Sequence, residues 1–347
     1  MILVRAPFRL PLGGGGTDLP AYYKHYGGFL ITAAIDKYVY INVNQPAIFN
    51  KIKINYNRTE IVDVGDIKAI KHDIVRESLK YLNINEPLEI HSMADLAAGT
   101  GMGSSSSYAV ALLKCLNTMI RKYIPLQELA EEACKIEIDL IGKPIGKQDQ
   151  YAAAFGGITQ LEIDKAGNVR VTPLSLDHEV IVELENRLML FYTNIERDAN
   201  EILGEQSSKI ASSVINSSNS TEKRDEKNEG RGADQSMHAI KEIGYRIGDA
   251  LQRGDVSEIG RLMHEHWITK KSVSTKMSNL AIDDWYTLAM ENGALGGKIM
   301  GAGGGGFFVF CVDEGKRKHL RKTMENAGLT YMGFRFDFEG VKVLANV

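Results

Sequence analysis

The sequence predicts an α+β protein of two lobes, and three observations predict it. Short β-branched or aromatic runs crowd the first third, later strands and helices interleave without a βαβ repeat, and the texture changes near Val182–Leu188. The early strand runs are Ile2–Arg5, Ile31–Ala34, Tyr38–Asn44 and Lys51–Asn57. In the third of these Tyr38, Tyr40 and Asn42 alternate with Val39, Ile41 and Val43, the period of a half-buried strand. Helices are expected at Ile70–Leu82, Ser104–Tyr123 and Leu126–Ile141, the last opened by Pro125. Strands return at Ile158–Ile163, Val169–Thr172 and Arg187–Tyr192. Beyond Asp198 the pattern turns helical, with Met237, Ile240, Ile243, Ile247 and Leu251 recurring at threes and fours, and two more helices fit Val256–Thr269 and Ile282–Asn292. Strands at Phe307–Val312 and Phe334–Phe338 flank a helix near Gly315–Ala327. The lobes are then residues 1–182 and 183–347, with a mobile polar excursion expected over about 205–236, around EKRDEKNEG.

Bulk properties narrow the function class. A chain of 347 residues with 44% hydrophobic and 24% charged content is a soluble globular protein with room for substantial cores. A net charge of -3 offers no basic footprint, so nucleic acid is not an expected partner. The apolar run Gly28–Ile35 is cut by Asp36 and Lys37, too short to span a membrane, and MILVRAPFRL lacks a signal-peptide layout. A cytoplasmic location is expected. Cys115, Cys134 and Cys311 are far apart in apolar contexts and read as reduced core residues.

Three glycine sites and one helix carry the chemistry. AGTGMGSSSSYAVALL, from Ala98, spaces Gly99, Gly101 and Gly103 ahead of four serines and an apolar helix. Such a turn aims backbone amides and a helix N-terminus at an anion, as in a phosphate cradle, although an ordinary Gly/Ser loop capping a helix reads the same way. At the start of the chain, APFRLPLGGGGTDLP offers a turn that approaches a ligand closely, a carboxylate at Asp18 suited to sugar hydroxyls, and Arg9 to stabilise negative charge, although a tight loop, an Asp capping the following helix and a surface Arg read the same way. KIMGAGGGGFFVF, from Lys298, satisfies G-x-G-x-x-G at Gly301, Gly303 and Gly306 but runs into a strand instead of a helix, so it is no dinucleotide fingerprint. On the helix after Pro125, Leu126, Ala130, Ala133, Glu137 and Leu140 share one face. Glu137 therefore lies on the buried stripe, where a carboxylate must be paired or hold a metal, unless the helix end frays and turns it outward. Asp149 precedes a short Ala-rich helix, either as a plain cap or as a base kept ionised by Lys147. HEHW (His264 to Trp267) lacks zinc spacing and reads as helix surface and core.

APFRLPLGGGGTD, AGTGMGSSSS and KIMGAGGGGF, in this order, resemble the three motifs of the GHMP kinases. The resemblance implies an N-terminal domain like the second domain of ribosomal protein S5, a ferredoxin-like C-terminal domain, and ATP in the cleft between them. It implies that Gly99, Gly101, Met102, Gly103, Ser104, Ser105 and Ser106 wrap the phosphates, and that Ser105 and Glu137 ligate Mg2+. It further implies Asp149 as the group that deprotonates or orients the attacking hydroxyl, assisted by Arg9, with Thr17, Asp18, Gly303 and Gly304 toward the substrate. The GGGGTDLPAYY start, IDKYVYI and the FRFDFEG end look most like members that phosphorylate a manno-heptose 7-phosphate at its anomeric hydroxyl. Such a substrate needs a basic pocket, for which Arg197, Lys147, Lys271 and Arg335 are candidates. Other acceptors within the family (another sugar or an isoprenoid alcohol), a non-catalytic ATP- or sugar-binding regulator and a homodimer remain compatible with these motifs.

Overall fold

Two long apolar runs, β1 (Ile2–Gly13) and β2 (Gly28–Asn44), pair antiparallel at the centre of the larger sheet, joined by the glycine turn and the short helix α1 (Pro20–Tyr26). The computed structural model describes residues 1–195, 199–219, 232–274 and 277–347. After β2 come β3 (Lys51–Asn55), β4 (Thr59–Asp63), α2 (Asp73–Tyr81), β5 (Leu88–Ala94), α3 (Ser104–Met119), α4 (Leu126–Cys134) and α5 (Gln148–Phe155). Then follow β6 (Ile158–Ile163), β7 (Val169–Pro173), α6 (His178–Arg187), β8 (Leu188–Tyr192), α7 (Ala199–Asn219), α8 (Ala233–Gln252), α9 (Val256–Lys271) and α10 (Leu280–Glu291). The chain closes through β9 (Ala294–Ile299), β10 (Phe307–Val312), α11 (Arg317–Asn326), β11 (Thr330–Met332) and β12 (Lys342–Asn346).

The larger sheet runs β12-β1-β2-β5-β3-β4, with β6 and β7 attached to the other half of β2, and the smaller runs β11-β8-β10-β9. Every pairing is antiparallel except β3 with β5. This α+β mixture without a βαβ repeat is the expected class. Helices α3 and α5 pack on β1 and β2, α8 also packs there, and α9 covers β9 and β10. The main core runs unbroken from Val4 and Phe8 in the larger sheet to Val309 and Cys311 in the smaller one. All three cysteines are buried and free. Among the described residues no helix is long and apolar enough to cross a membrane.

Several expectations change. Strand β1 extends to Gly13 although it contains Pro7 and Pro11; its register slips between Pro7 and Phe8 and again after Pro11, where missing N–H groups break the ladder. The expected strand Phe334–Phe338 makes a single bridge, Phe336 to Ile35. Asp337 turns the backbone there, its Oδ1 accepting the N–H groups of Glu339 and Gly340. Of the polar excursion expected over 205–236, residues up to 219 belong to α7, which buries Ile202, Gln206, Ile210 and Val214 at spacings of four, and those from 233 belong to α8. Residues 220–231 lie outside the described residues. The 182/183 division falls inside α6, and β12 returns to pair with β1.

Candidate active site

Strand β12 covers only Ile2–Arg5 of β1, so the edge beyond is open. The glycine loop takes it: the Arg9 N–H donates to the Met102 carbonyl at 3.1 Å. Gly103 caps α3 at φ 82°, and a Cβ there would come within 3.1 Å of Asp149 Oδ2 and 3.3 Å of Arg9 Cγ. The four serines that follow are not equivalent. Ser104, Ser105 and Ser106 line the cleft, while Ser107 is buried and donates to the Pro7 carbonyl at 2.8 Å. Gly99, Gly101 and Gly103 also face the cleft; Met102 sends its side chain into the core instead.

Helix α4 passes into one π-helical turn, Lys135–Leu140, and that turn carries Glu137. Glu137 is fully buried, as the stripe predicts, but Leu140 is 46% exposed because the wider turn rotates the stripe off register. The carboxylate accepts from Ser105 Oγ (2.5 Å), Lys143 Nζ (3.1 Å) and Gln150 Nε2 (2.8 Å), and Lys143 Nζ also donates to Ser105 Oγ at 2.7 Å. A hydroxyl and a carboxylate already drawn to one cation are hard oxygen donors of the kind that would suit Mg2+. Among the described residues no group of three or more His, Cys, Asp or Glu forms a metal cluster.

Asp149, in the first turn of α5, is gripped by a fork from Arg9: Nε to Oδ1 at 2.7 Å and Nη2 to Oδ2 at 3.0 Å. Arg9 Nη1 also reaches the Gly101 carbonyl at 2.6 Å. The expected partner Lys147 points elsewhere, to Glu131 at 2.9 Å and the Gly167 carbonyl at 2.7 Å. Asp18 lies beside Asp149 with both oxygens held by backbone N–H groups, Gly16 at 3.2 Å and Gln148 at 3.0 Å. Burial pushes its pKa up, opposed by the Gln148 N–H and reinforced by the charge of Asp149. Only glycine fits at 146, since a Cβ would stand 1.9 Å from Asp18 Oδ2.

A cleft of about 1250 Å³ runs from the apolar residues Tyr56, Leu96 and Tyr108 across the glycine loop to Asp149 and Gly301. A smaller pocket opens from it, sharing Arg9, Asp149, Leu203, Gly301 and Ala302 and containing Asp18. Three substrate-side expectations are corrected. Thr17 is buried, its hydroxyl turned to the Gly14 and Phe29 carbonyls, both 2.8 Å away, and away from the pocket. Gly303 and Gly304 pack on Met277, whose carbonyl accepts the Gly304 N–H at 2.8 Å; Gly301 and Ala302 face the pocket in their place. The third glycine loop also closes on the second, Phe307 N–H donating to the Thr100 carbonyl at 3.2 Å.

Sequence reasoning missed Lys143, Gln150, His266, Lys270, Lys298 and Gln206. His266 is not plain core: it lines the smaller pocket, while His264 pairs with Tyr286 at 2.8 Å. Of the basic candidates, Lys147 is engaged as above, Lys271 pairs with Asp283 at 3.0 Å, and Arg335 is exposed, none of them in the pocket. Arg197 lies outside the described residues.

Models of the GHMP kinase N-terminal and C-terminal domains match residues 67–157 and 249–328. The chain belongs to the GHMP kinases, ATP-dependent phosphotransferases that act on an alcohol group. Among curated relatives it is 32% identical to the D-glycero-alpha-D-manno-heptose 7-phosphate kinase of Campylobacter jejuni, over 98% of each chain. Among solved structures it is 30% identical to a putative sugar kinase from Campylobacter jejuni, with a TM-score of 0.75 over 99% of this chain and 97% of that one. A D-glycero-D-manno-heptose 1-phosphate kinase from Bacteroides thetaiotaomicron shares the fold, with a TM-score of 0.79 and 24% identity over 100% of both chains.

Proposed function

We propose that the protein transfers the γ-phosphoryl group of ATP to the anomeric hydroxyl of D-glycero-D-manno-heptose 7-phosphate, giving the 1,7-bisphosphate. The observation that carries a sugar-phosphate kinase reading is the convergence of the Arg9–Asp149 fork, Asp18 and the glycine loop where the large cleft meets the smaller pocket. The heptose assignment draws on the 32% identical relative.

The adenine lies against Tyr56, Leu96 and Tyr108, and the phosphates lie along Gly99–Ser106, where backbone amides and the N-terminus of α3 meet negative charge. Ser105 and Glu137 would hold Mg2+, which when bound would supply positive charge to the transferring phosphates. Asp18, its oxygens fixed by two backbone N–H groups, orients sugar hydroxyls. Asp149 takes the proton of the attacking hydroxyl as its oxygen bonds the γ-phosphorus and the bond to the ADP oxygen breaks. The Arg9 fork keeps that carboxylate aimed, and its charge faces the charge that develops at the transferring group.

Asp149→Asn tests the reading. Turnover is expected to fall by about 10^3, with the affinity for an ATP analogue nearly unchanged. Near wild-type turnover at saturating ATP refutes the base assignment. An ADP-release panel over the heptose 7-phosphate, free hexoses and mevalonate derivatives tests the acceptor.

A further inference from the structure

The smaller pocket has a wall of basic side chains for which the transfer chemistry above has no use. Helix α9 presents His266 and, one turn on, Lys270, and β9 beneath it presents Lys298. Lys298 is 2% exposed, its Nζ donating to the Leu12 carbonyl at 2.8 Å, and Lys270 Nζ donates to the Gly301 carbonyl at 3.2 Å. His266 is 1% exposed and both ring nitrogens lack a partner; Gln206 is fully buried with both amide atoms unpartnered. Burial, and after it the charges of Lys270 and Arg9, hold Lys298 well below the usual lysine range. His266 is lowered in the same way by burial, Lys298 and Lys270.

The unpartnered ring nitrogens of His266 and the unpartnered amide of Gln206, beside a lysine that burial keeps from its charge, cost free energy in a closed pocket, and an anion entering it relieves both. Asp18 and Asp149 are in the same pocket, so the occupant presents both hydroxyls for carboxylates and a separate anionic group for the cations. We infer that Lys298, Lys270 and His266 bind a phosphate ester already present on the acceptor, making the pocket selective for a phosphorylated polyol over the free one. The inference rests on the kinase reading and deepens it. None of these three residues was among the basic candidates drawn from the sequence.

The test compares wild type, Lys270→Met and His266→Gln in steady-state assays with heptose 7-phosphate and with the free heptose. Thermal shift with inorganic phosphate and with an ATP analogue runs alongside. Wild type is expected to favour the phosphorylated acceptor by about 100-fold or more in kcat/KM. Each variant is expected to lose about 10- to 100-fold of that preference through KM, to lose the phosphate shift, and to keep the ATP-analogue shift, which also reports that it is folded. An equal loss on both acceptors overturns the inference, as does a rise in KM for ATP instead, which would place the cluster on the γ-phosphate. If heptose 7-phosphate is no substrate of the wild type, the acceptor assignment fails alone. A phosphate shift lost in both variants then still supports the anion site, and its absence in wild type overturns it.

Discussion

Replacing Lys143 by Met tests how the Ser105–Glu137 pair is balanced without a divalent ion. Glu137 is fully buried and accepts from a hydroxyl, an amide and an ammonium, so Lys143 is the cation among these partners. Removing one partner of a buried ion pair costs about 3–5 kcal/mol, because the other charge stays behind. Lys143 is itself 16% exposed, so the lower end applies, about 3 kcal/mol. Unfolding entropy near 2.1 cal/mol/K per residue gives roughly 0.7 kcal/mol/K for this chain, and Lys143→Met should melt about 4 °C lower in EDTA. Excess Mg2+ supplies the missing charge, so the variant recovers most of that loss while wild type, with its ammonium in place, gains little. Melting curves of both proteins in EDTA and in Mg2+ decide the matter. The reasoning is refuted if the two melt together in EDTA, or if Mg2+ raises both equally.

Ser105→Ala should lower turnover by at least tenfold and, because it removes a bond to the buried Glu137 carboxylate, cost about 1–3 kcal/mol, whereas Ser107→Ala, which loses a buried bond to the Pro7 carbonyl, should cost about 1–2 kcal/mol in a denaturant titration with turnover nearly intact. Gly146→Ala drives a methyl into Asp18 and should raise the acceptor KM while lowering stability by about 1–3 kcal/mol; an unchanged KM would remove Asp18 from the acceptor site. Lys298 has a folded pKa below its unfolded value, so its cost is absent above the unfolded pKa of 10.5 and grows as pH falls toward the folded value. Lys298→Met should therefore gain stability over wild type at about pH 7.5, with the gap closing toward pH 10.5; a gap that does not depend on pH refutes the buried-lysine assignment.

What was legible in the sequence was local. Gly99, Gly101 and Gly103 before an apolar helix announce the loop because spacing and helix start lie within a dozen residues. Glu137 was readable from its stripe, yet the exposure of Leu140 was not, since periodicity carries no sign of an inserted π turn. The Arg9–Asp149 fork spans 140 positions, and the nearby Lys147 misled: two residues apart at a helix start, their side chains diverge. Glycine runs announced close backbone approach without naming the neighbour, which for Gly303 and Gly304 is Met277. His266 gained its meaning only once α9 was laid on β9 beside Lys298.

The Phe307–Thr100 and Lys298–Leu12 bonds, with a core continuous through both sheets, have a thermodynamic consequence. Neither lobe can melt without exposing apolar surface and orphaned backbone groups in the other, so unfolding is cooperative across the cleft and the calorimetric and van't Hoff enthalpies should coincide. Nucleotide seated on the glycine loop therefore stabilises the smaller sheet, including the paired strands β8 and β10, as much as the strands of the larger one.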